Sequence, residues 1–312
     1  MKDNSRQLIV VLGPTASGKT QVAANLATRF GTEVISADSR QFYRELNIGV
    51  ARPPASVLQQ VTHHFIASHT IHKPLNAAQY AEEAHALLIT LFTRHHKVVV
   101  CGGSGLYIKA LLEGFDDIPE IPHHIRKEIQ EEYHNKGLTW LQQELAVHDA
   151  EAWLHIDRNN PRRLMRALEV KRYTGKSIRH FQQGKKKNLP WQVNLPLQVN
   201  LPWQVKKIAL DWPRDVLYHR INQRVLDMVN NGLFGEAERL YPHRHLSPLQ
   251  TVGYEEIFAF MDGLISRERA IELIQRNTRR YAKRQLTWFR KDAEIHWVHP
   301  DSPERIFEIA GA

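Results

Sequence analysis

An α/β fold is predicted, a parallel sheet core carrying an inserted helical domain, and three observations predict it. Unbroken apolar runs stand at LIVVLG (8–13), TEVISAD (32–38) and KVVVCGG (97–103), each ending in glycine or aspartate. Helical stretches at about 19–30 and 76–95 alternate with them. After Pro119-Glu-Ile-Pro122 the pattern changes, and residues 123 to about 182 read as helices with little strand signal. Apolar runs without polar alternation suit strands covered on both faces, as in a parallel sheet. Their alternation with helices is the α/β pattern.

The later elements follow in order. KKIALDW (206–212) returns to strand character, helices follow at about 214–231, 233–241, 253–261 and 266–291, and IHWVHP (295–300) reads as a last strand. The chain therefore divides into a core of 1–114 and 206–312 and a helical insertion of 115–205. The insertion ends in a triple hexapeptide, NLPWQV, NLPLQV, NLPWQV (188–205). Proline every six residues forbids a continuous helix, and three copies are too short to build a solenoid. The segment reads as an extended connector.

Composition narrows the function classes. With 42% hydrophobic and 24% charged residues, the 312-residue chain has enough apolar material for a core. No apolar run approaches the roughly 20 residues of a membrane helix, and the N-terminal run leads straight into a glycine-rich motif, so it reads as a buried strand and not a signal peptide. One cysteine, Cys101, excludes an intramolecular disulfide and a cysteine-rich metal site, and a reducing, cytoplasmic home is expected. The 18 histidines are scattered and lack HExxH-type spacing. A formal charge of +9 suits a polyanionic partner.

Gly13-Pro14-Thr15-Ala16-Ser17-Gly18-Lys19-Thr20 fits GxxxxGK[ST], a P-loop, after a strand and at the start of a helix. Such a loop turns backbone N–H groups toward an anion, and the helix N-terminus adds partial positive charge. Lys19 would contact a terminal phosphate and Thr20 would hold Mg²⁺. Ligands of open α/β sheets gather beyond the carboxyl ends of the strands. This loop, Asp38-Ser39-Arg40-Gln41 and Gly102-Gly103-Ser104-Gly105 should therefore converge. Asp38 suits a base, a metal ligand or the N-cap of a helix after Ser39. VVVCGGSG lacks the acid that a P-loop hydrolase uses for Mg²⁺, which argues against ATP hydrolysis.

Basic residues cluster in two places. Between Arg276 and Lys291 stand seven positive charges and no acid, with Arg276, Arg280, Lys283, Arg284 and Thr287 near one helical face and Ile274, Tyr281 and Phe289 on another. This suits backbone phosphates. Asn160-Pro161 reads as an N-cap and first helical residue. Arg162, Arg163 and Arg166 then oppose the helix dipole, which an external anion would offset. Arg220 and Arg224 share a helix face from which either could reach the cleft. On these residues alone, a small-molecule kinase accounts for 8–110 but leaves the basic helices without a purpose.

Taken together, GPTASGKT (13–20), ISADSRQFY (35–43), CGGSGLYIKALLEG (101–114), NNPRRLMRALEV (159–170), RINQRVLDMVNNGL (220–233), LQTVGYEEI (249–257) and RRYAKRQLTWFRK (279–291) resemble the bacterial-type tRNA dimethylallyltransferase family in order along nearly the whole chain. The resemblance implies transfer of a dimethylallyl group from its diphosphate to N6 of adenine 37 of tRNA. It implies Mg²⁺, an anticodon stem-loop as partner, and an insertion that grips it; a monomer is expected. It implies Asp38 as general base, Ser104 near the bridging oxygen of the diphosphate and Arg224 on the diphosphate. It also implies tRNA contacts at Asp38, Ser39, Arg40, Gln41, Arg162, Arg163, Leu164, Met165, Arg166, Gln250, Thr251, Gly253, Tyr254, Arg276, Arg279, Arg280, Lys283 and Arg284. Ser104 stands where the family more often has threonine, and IGVARP (48–53) where IGTAKP is usual.

Overall fold

The structure, a computed structural model, describes residues 6–116, 118–182 and 203–311. Six strands form one sheet in the order β3-β2-β4-β1-β5-β6: β1 Gln7–Leu12, β2 Val34–Ser36, β3 His63–His64, β4 Lys97–Gly102, β5 Gln204–Leu210 and β6 Ile295–Val298. Every pairing is parallel. β1 is central, and its Leu8, Val10 and Leu12 face one side while Ile9 and Val11 face the other. This period of two, buried on both faces, explains why the strands carry unbroken apolar runs.

One face is covered by α1 (Lys19–Phe30), through Ala23, Leu26 and Ala27, and by α13 (Pro303–Ala310), through Ile306 and Ala310. The other face receives α3 (Ala77–Leu91) and α4 (Gly105–Glu113), through Leu88, Leu91, Ile108 and Leu111. Three later helices, α9 (Arg214–Asn230), α10 (Leu233–Leu240) and α11 (Tyr254–Met261), and the long α12 (Arg267–Phe289) join the same cluster through Val225, Leu233, Ile257 and Ile274. Short pieces with too few residues for a periodic signal were not foreseen: α2 (Ala55–Gln60), β3 and α4. β5 starts two residues before the expected strand because Gln204 and Val205 pair with Gln7 and Leu8. Most of the hexapeptide repeat lies outside the described residues.

The chain divides into two compact units, one within residues 1–112 and 194–312 and one within 113–193. The second is helical: α5 (His123–His148), α6 (Ala150–Trp153), α7 (Pro161–Thr174) and α8 (Ile178–Phe181) close on Ile129, Leu141, Leu145, Leu164 and Leu168. Gly137, at a φ of +77°, breaks α5 into two segments. Asn160 caps α7 by accepting from the Arg163 N–H, with Pro161 in the first position.

Register aligns the strand ends. Leu12 pairs with Gly102 and with Ala209, and Ser36 pairs with Cys101. The segments after β1, β2 and β4 therefore emerge together. At Gly102 a Cβ would stand under 3.0 Å from the Ala37 carbonyl, so only glycine lets β2 and β4 approach at this edge. Gly102→Ala is expected to force these strands apart and cost about 1–3 kcal/mol, read as a lower denaturant midpoint. An unchanged midpoint would refute the close-approach argument.

Candidate active site

The anion loop follows β1. Ala16 and Gly18 adopt left-handed φ values of +63° and +91°. No side chain caps α1 and its first turn holds no acid, so its N–H groups and dipole are left for an external anion. Other elements fix the loop from outside. Trp212 Nε1 donates to the Ser17 carbonyl at 2.9 Å, and Arg220 Nε donates to the Ala16 carbonyl at 2.9 Å. Arg220 is thus a brace for the loop, with its guanidinium stacked over Trp212. The Thr15 N–H donates to Gln285 Oε1 at 2.9 Å.

Asp38 stands beyond β2 on a turn, not at the start of a helix: its Oδ1 accepts from the Arg40 N–H at 3.2 Å. The carboxylate thereby shapes its own loop. Gln41 is buried and donates to the Val50 and Ala51 carbonyls, tying this loop to 50–51. Arg40 reaches the Ser247 and Pro248 carbonyls. Val50 contributes a carbonyl and apolar contact here. Arg52 donates to the carbonyls of Tyr43, Arg44 and Leu46.

Two cavities meet at this place. One, of about 570 Å³, is edged by the anion loop from Thr15 to Gln21, by Arg220 and by Asp227. The other, of about 350 Å³, is edged by the Gln250–Gly253 turn and, from α12, by Thr278, Tyr281, Arg284 and Gln285. Thr15, Lys19, Asp38, Val50, Ala51 and Arg224 line both. A third and larger cavity, about 650 Å³, involves Trp212, Lys283 and Trp297 and contains no residue of the anion loop or the Asp38 turn.

The shared wall is electrostatically loaded. Burial lowers the pKa of Lys19, with Asp38 opposing the shift and Arg224 adding to it. Burial likewise lowers Arg224, opposed by Asp38 and reinforced by Arg220. Tyr281 is pushed up to about 12 by burial and then by the Asp38 charge, so it is a neutral donor at physiological pH. Burial pushes the Cys101 thiol up to about 12, which leaves it unreactive.

Ser104 stands just behind the cavity wall, in hydrogen-bond contact with Tyr281, which lines the smaller cavity. Ser104 itself lines neither cavity; its hydroxyl accepts from the Ser39 N–H at 3.0 Å and donates to Ser39 Oγ at 3.1 Å. Ser104 therefore braces Ser39 and also meets Tyr281. Two residues of the expected RNA-contact segments have buried side chains. Leu164 is fully buried in the helical unit's core. Tyr254 is fully buried, its hydroxyl donating to Glu236 Oε1 at 2.6 Å. Arg279 turns toward α9, bonding Asn222 Oδ1. Arg276, Arg280, Lys283 and Arg284 are exposed, with no carboxylate in ion-pair contact among the described residues. In the helical unit Arg162 and Arg163 are exposed, Met165 is half-buried, and Arg166 bonds the buried Glu169.

Glu236 and Gln285 were not singled out from the sequence, although Gln285 lies within the 279–291 segment. Glu236 is buried and accepts the N–H groups of Asn47, Ile48 and Gly49 at 3.2, 2.8 and 2.8 Å. It fixes the segment that leads into Val50 and Ala51. Glu256 does the same for the Gly253 turn, accepting from its N–H at 2.7 Å.

Known proteins match this arrangement. The IPP transferase family model covers residues 41–292. A tRNA dimethylallyltransferase of Cytophaga hutchinsonii is 46% identical over 95% of this chain and 93% of its own. One of Christiangramia forsetii is 44% identical over 97% of each. The crystal structure of a full-length tRNA isopentenylpyrophosphate transferase of Bacillus halodurans superposes with a TM-score of 0.68 at 35% identity, over 98% of this chain and 95% of that one. A family match over most of the length, with relatives this similar, means that the chain belongs to the tRNA dimethylallyltransferase family.

Proposed function

We propose that this chain transfers the dimethylallyl group of dimethylallyl diphosphate to N6 of adenine 37 in the anticodon stem-loop of tRNA, releasing diphosphate. The observation that carries this reading is the wall of Lys19, Asp38 and Arg224 shared by two cavities. One cavity has the anion loop at its edge and suits a diphosphate; the other suits an extruded base. Adenine must leave its stack to reach such a site.

In the reaction, the N6 lone pair attacks the allylic C1. The C1–N6 bond forms as the C1–O bond to diphosphate breaks. Asp38 takes the N6 proton, and the electron pair of the broken bond leaves with the diphosphate. Lys19, Arg224 and the loop N–H groups stabilise the charge that grows there. Ser104, held by Ser39 and Tyr281, would stand near the bridging oxygen of the diphosphate. Magnesium fits the donor set. The Thr20 hydroxyl lines the same cavity as Asp38, and among the described residues no cluster of three acids, histidines or cysteines competes for the ion. Mg²⁺ commonly relies on one or two protein ligands plus phosphate oxygens. Thr20 would hold it, and when bound it would neutralise diphosphate charge.

The exposed cations of α12 are the proposed phosphate contacts for the stem-loop, with Arg162, Arg163 and Arg166 a second set on the helical unit. The Gln250–Gly253 turn, at the cavity edge, is a proposed base contact.

Product formation and three further outcomes are expected. Incubation with tRNA and dimethylallyl diphosphate yields N6-dimethylallyl adenosine by nucleoside mass spectrometry. Asp38→Asn, which keeps the acceptor for Arg40 N–H but loses the base, lowers turnover by about 10²–10⁴-fold with tRNA affinity retained; equal losses in both would sink the base assignment. Second, Lys19 has a pKa below the ordinary 10.5. Between those two values the empty site is partly neutral, and an arriving diphosphate favours the ammonium form. Binding of dimethylallyl diphosphate in that alkaline window therefore takes up protons, as calorimetry in buffers of different ionisation enthalpy would register. Net release would contradict the contact. Third, Arg280→Ala weakens tRNA binding and reduces the slope of log affinity against log salt by about 1; an unaltered slope removes Arg280 from the interface.

A further inference from the structure

Two chain segments must be held at a fixed separation if the transfer reaction proposed above is to proceed. One is the anion loop, which takes the leaving diphosphate. The other is the Asp38–Ser39 turn, which takes the proton. They come from different strands and are not bonded to each other directly by any described side chain of their own.

Gln285 joins them. Its Oε1 accepts from the Thr15 N–H at 2.9 Å, and its Nε2 donates to the Gly103 carbonyl at 2.8 Å. Those partners fix the orientation of the amide, because an N–H must meet Oε1 and a carbonyl must meet Nε2. From Gly103 the linkage continues through the next residue: the Ser104 hydroxyl bonds Ser39 twice and also meets Tyr281, and the Ser104 N–H donates to the Ala37 carbonyl at 3.4 Å. Gln285 is 6% exposed, yet it lines the smaller cavity beside Tyr281 and Arg284. Its neighbourhood is shaped around it. A Cβ on Gly103 would stand under 3.0 Å from Gln285 Nε2, and one on Gly105 under 3.0 Å from Trp288, one turn further along α12. Space that a core would fill with apolar atoms is given to one carboxamide and two glycines.

We propose that Gln285 is a positioning residue for prenyl transfer, setting the distance between the diphosphate-binding loop and the turn that carries Asp38. The inference rests on the transfer reading, but it concerns a coupling that can also be read without turnover. Displacement of a reacting group by about 1 Å can cost on the order of a hundredfold in rate.

The test uses the full chain with Gln285→Ala and Gln285→Glu. Gln285→Ala is expected to lower kcat by about a hundredfold and to weaken inorganic diphosphate binding about tenfold, with tRNA affinity within about twofold of the parent. Gln285→Glu supplies the readout that a merely structural role would not move. As a carboxylate it repels the Gly103 carbonyl; protonated, it offers one O–H donor and one acceptor in the same places as the amide. Its activity relative to the parent should therefore climb several-fold as pH falls from about 8.5 to about 6, burial having raised its pKa into reach. A flat ratio, or a Gln285→Ala enzyme within about threefold of the parent in kcat and diphosphate affinity, overturns the proposal. So does loss of tRNA binding in proportion to activity. If Gln285→Ala does not fold, the pH ratio of Gln285→Glu decides. If the parent transfers no prenyl group, the transfer reading fails, and diphosphate titration of the same variants still judges the coupling.

Discussion

The close approach of three chain segments beyond the carboxyl edge of the sheet is the constraint on which this site depends. Parallel register ends β1, β2 and β4 together, and Gly102 and Gly103 remove the side chains that would keep their continuations apart. What is lost in apolar packing is replaced by hydrogen bonds, from Thr15 to Gln285, from Gln285 to Gly103 and from Ser104 to Ser39. A buried polar link of this kind stabilises only when every partner is met, because each unmet group costs about 1–3 kcal/mol. It also admits one geometry, where apolar contact would tolerate several. A site that must hold an anion and a base at a set separation benefits from that exclusivity.

The same crowding loads the site with charge. Lys19 and Arg224 are both depressed in pKa by burial, and each raises the cost of charging the other. Asp38 offsets part of this, which gives the carboxylate an electrostatic role before any chemistry. The arrangement is under-neutralised without an anionic ligand, and a diphosphate relieves it.

The sheet and the anion loop were legible because their signals are local: apolar runs bounded by glycine, and a phosphate motif in strand-to-helix context. Arg276, Arg280, Lys283 and Arg284 were legible for a similar reason, since helical period alone puts them on one exposed face. Glu236 and Gln285 were not. Helical period places each on the inward face of its helix, but residue type argues for solvent; each is buried because distant backbone groups need it: the N–H groups of 47–49 for Glu236, and Thr15 and Gly103 for Gln285. Ser104, Leu164 and Tyr254 share a feature that sequence order does not show. A segment can belong to a binding surface while one side chain in it points inward, and sequence order does not distinguish the two. Tyr254 does so because its hydroxyl completes the Glu236 carboxylate, and that contact is also why Gly49 must lack a Cβ.

α12 unites these themes. Its exposed face carries Arg276, Arg280, Lys283 and Arg284, which make no ion pair among the described residues, and its inner face supplies Tyr281 beside Asp38 and Gln285 on the anion loop. A helix of 23 residues is stiff over this distance, so the surface offered to RNA and the contacts that fix the chemical groups belong to one rigid body. Backbone contacts to a stem-loop would then orient the acceptor base against the same reference that positions Lys19 and Asp38. Shared mounting on that helix would add to the fixed loop separation that Gln285 sets.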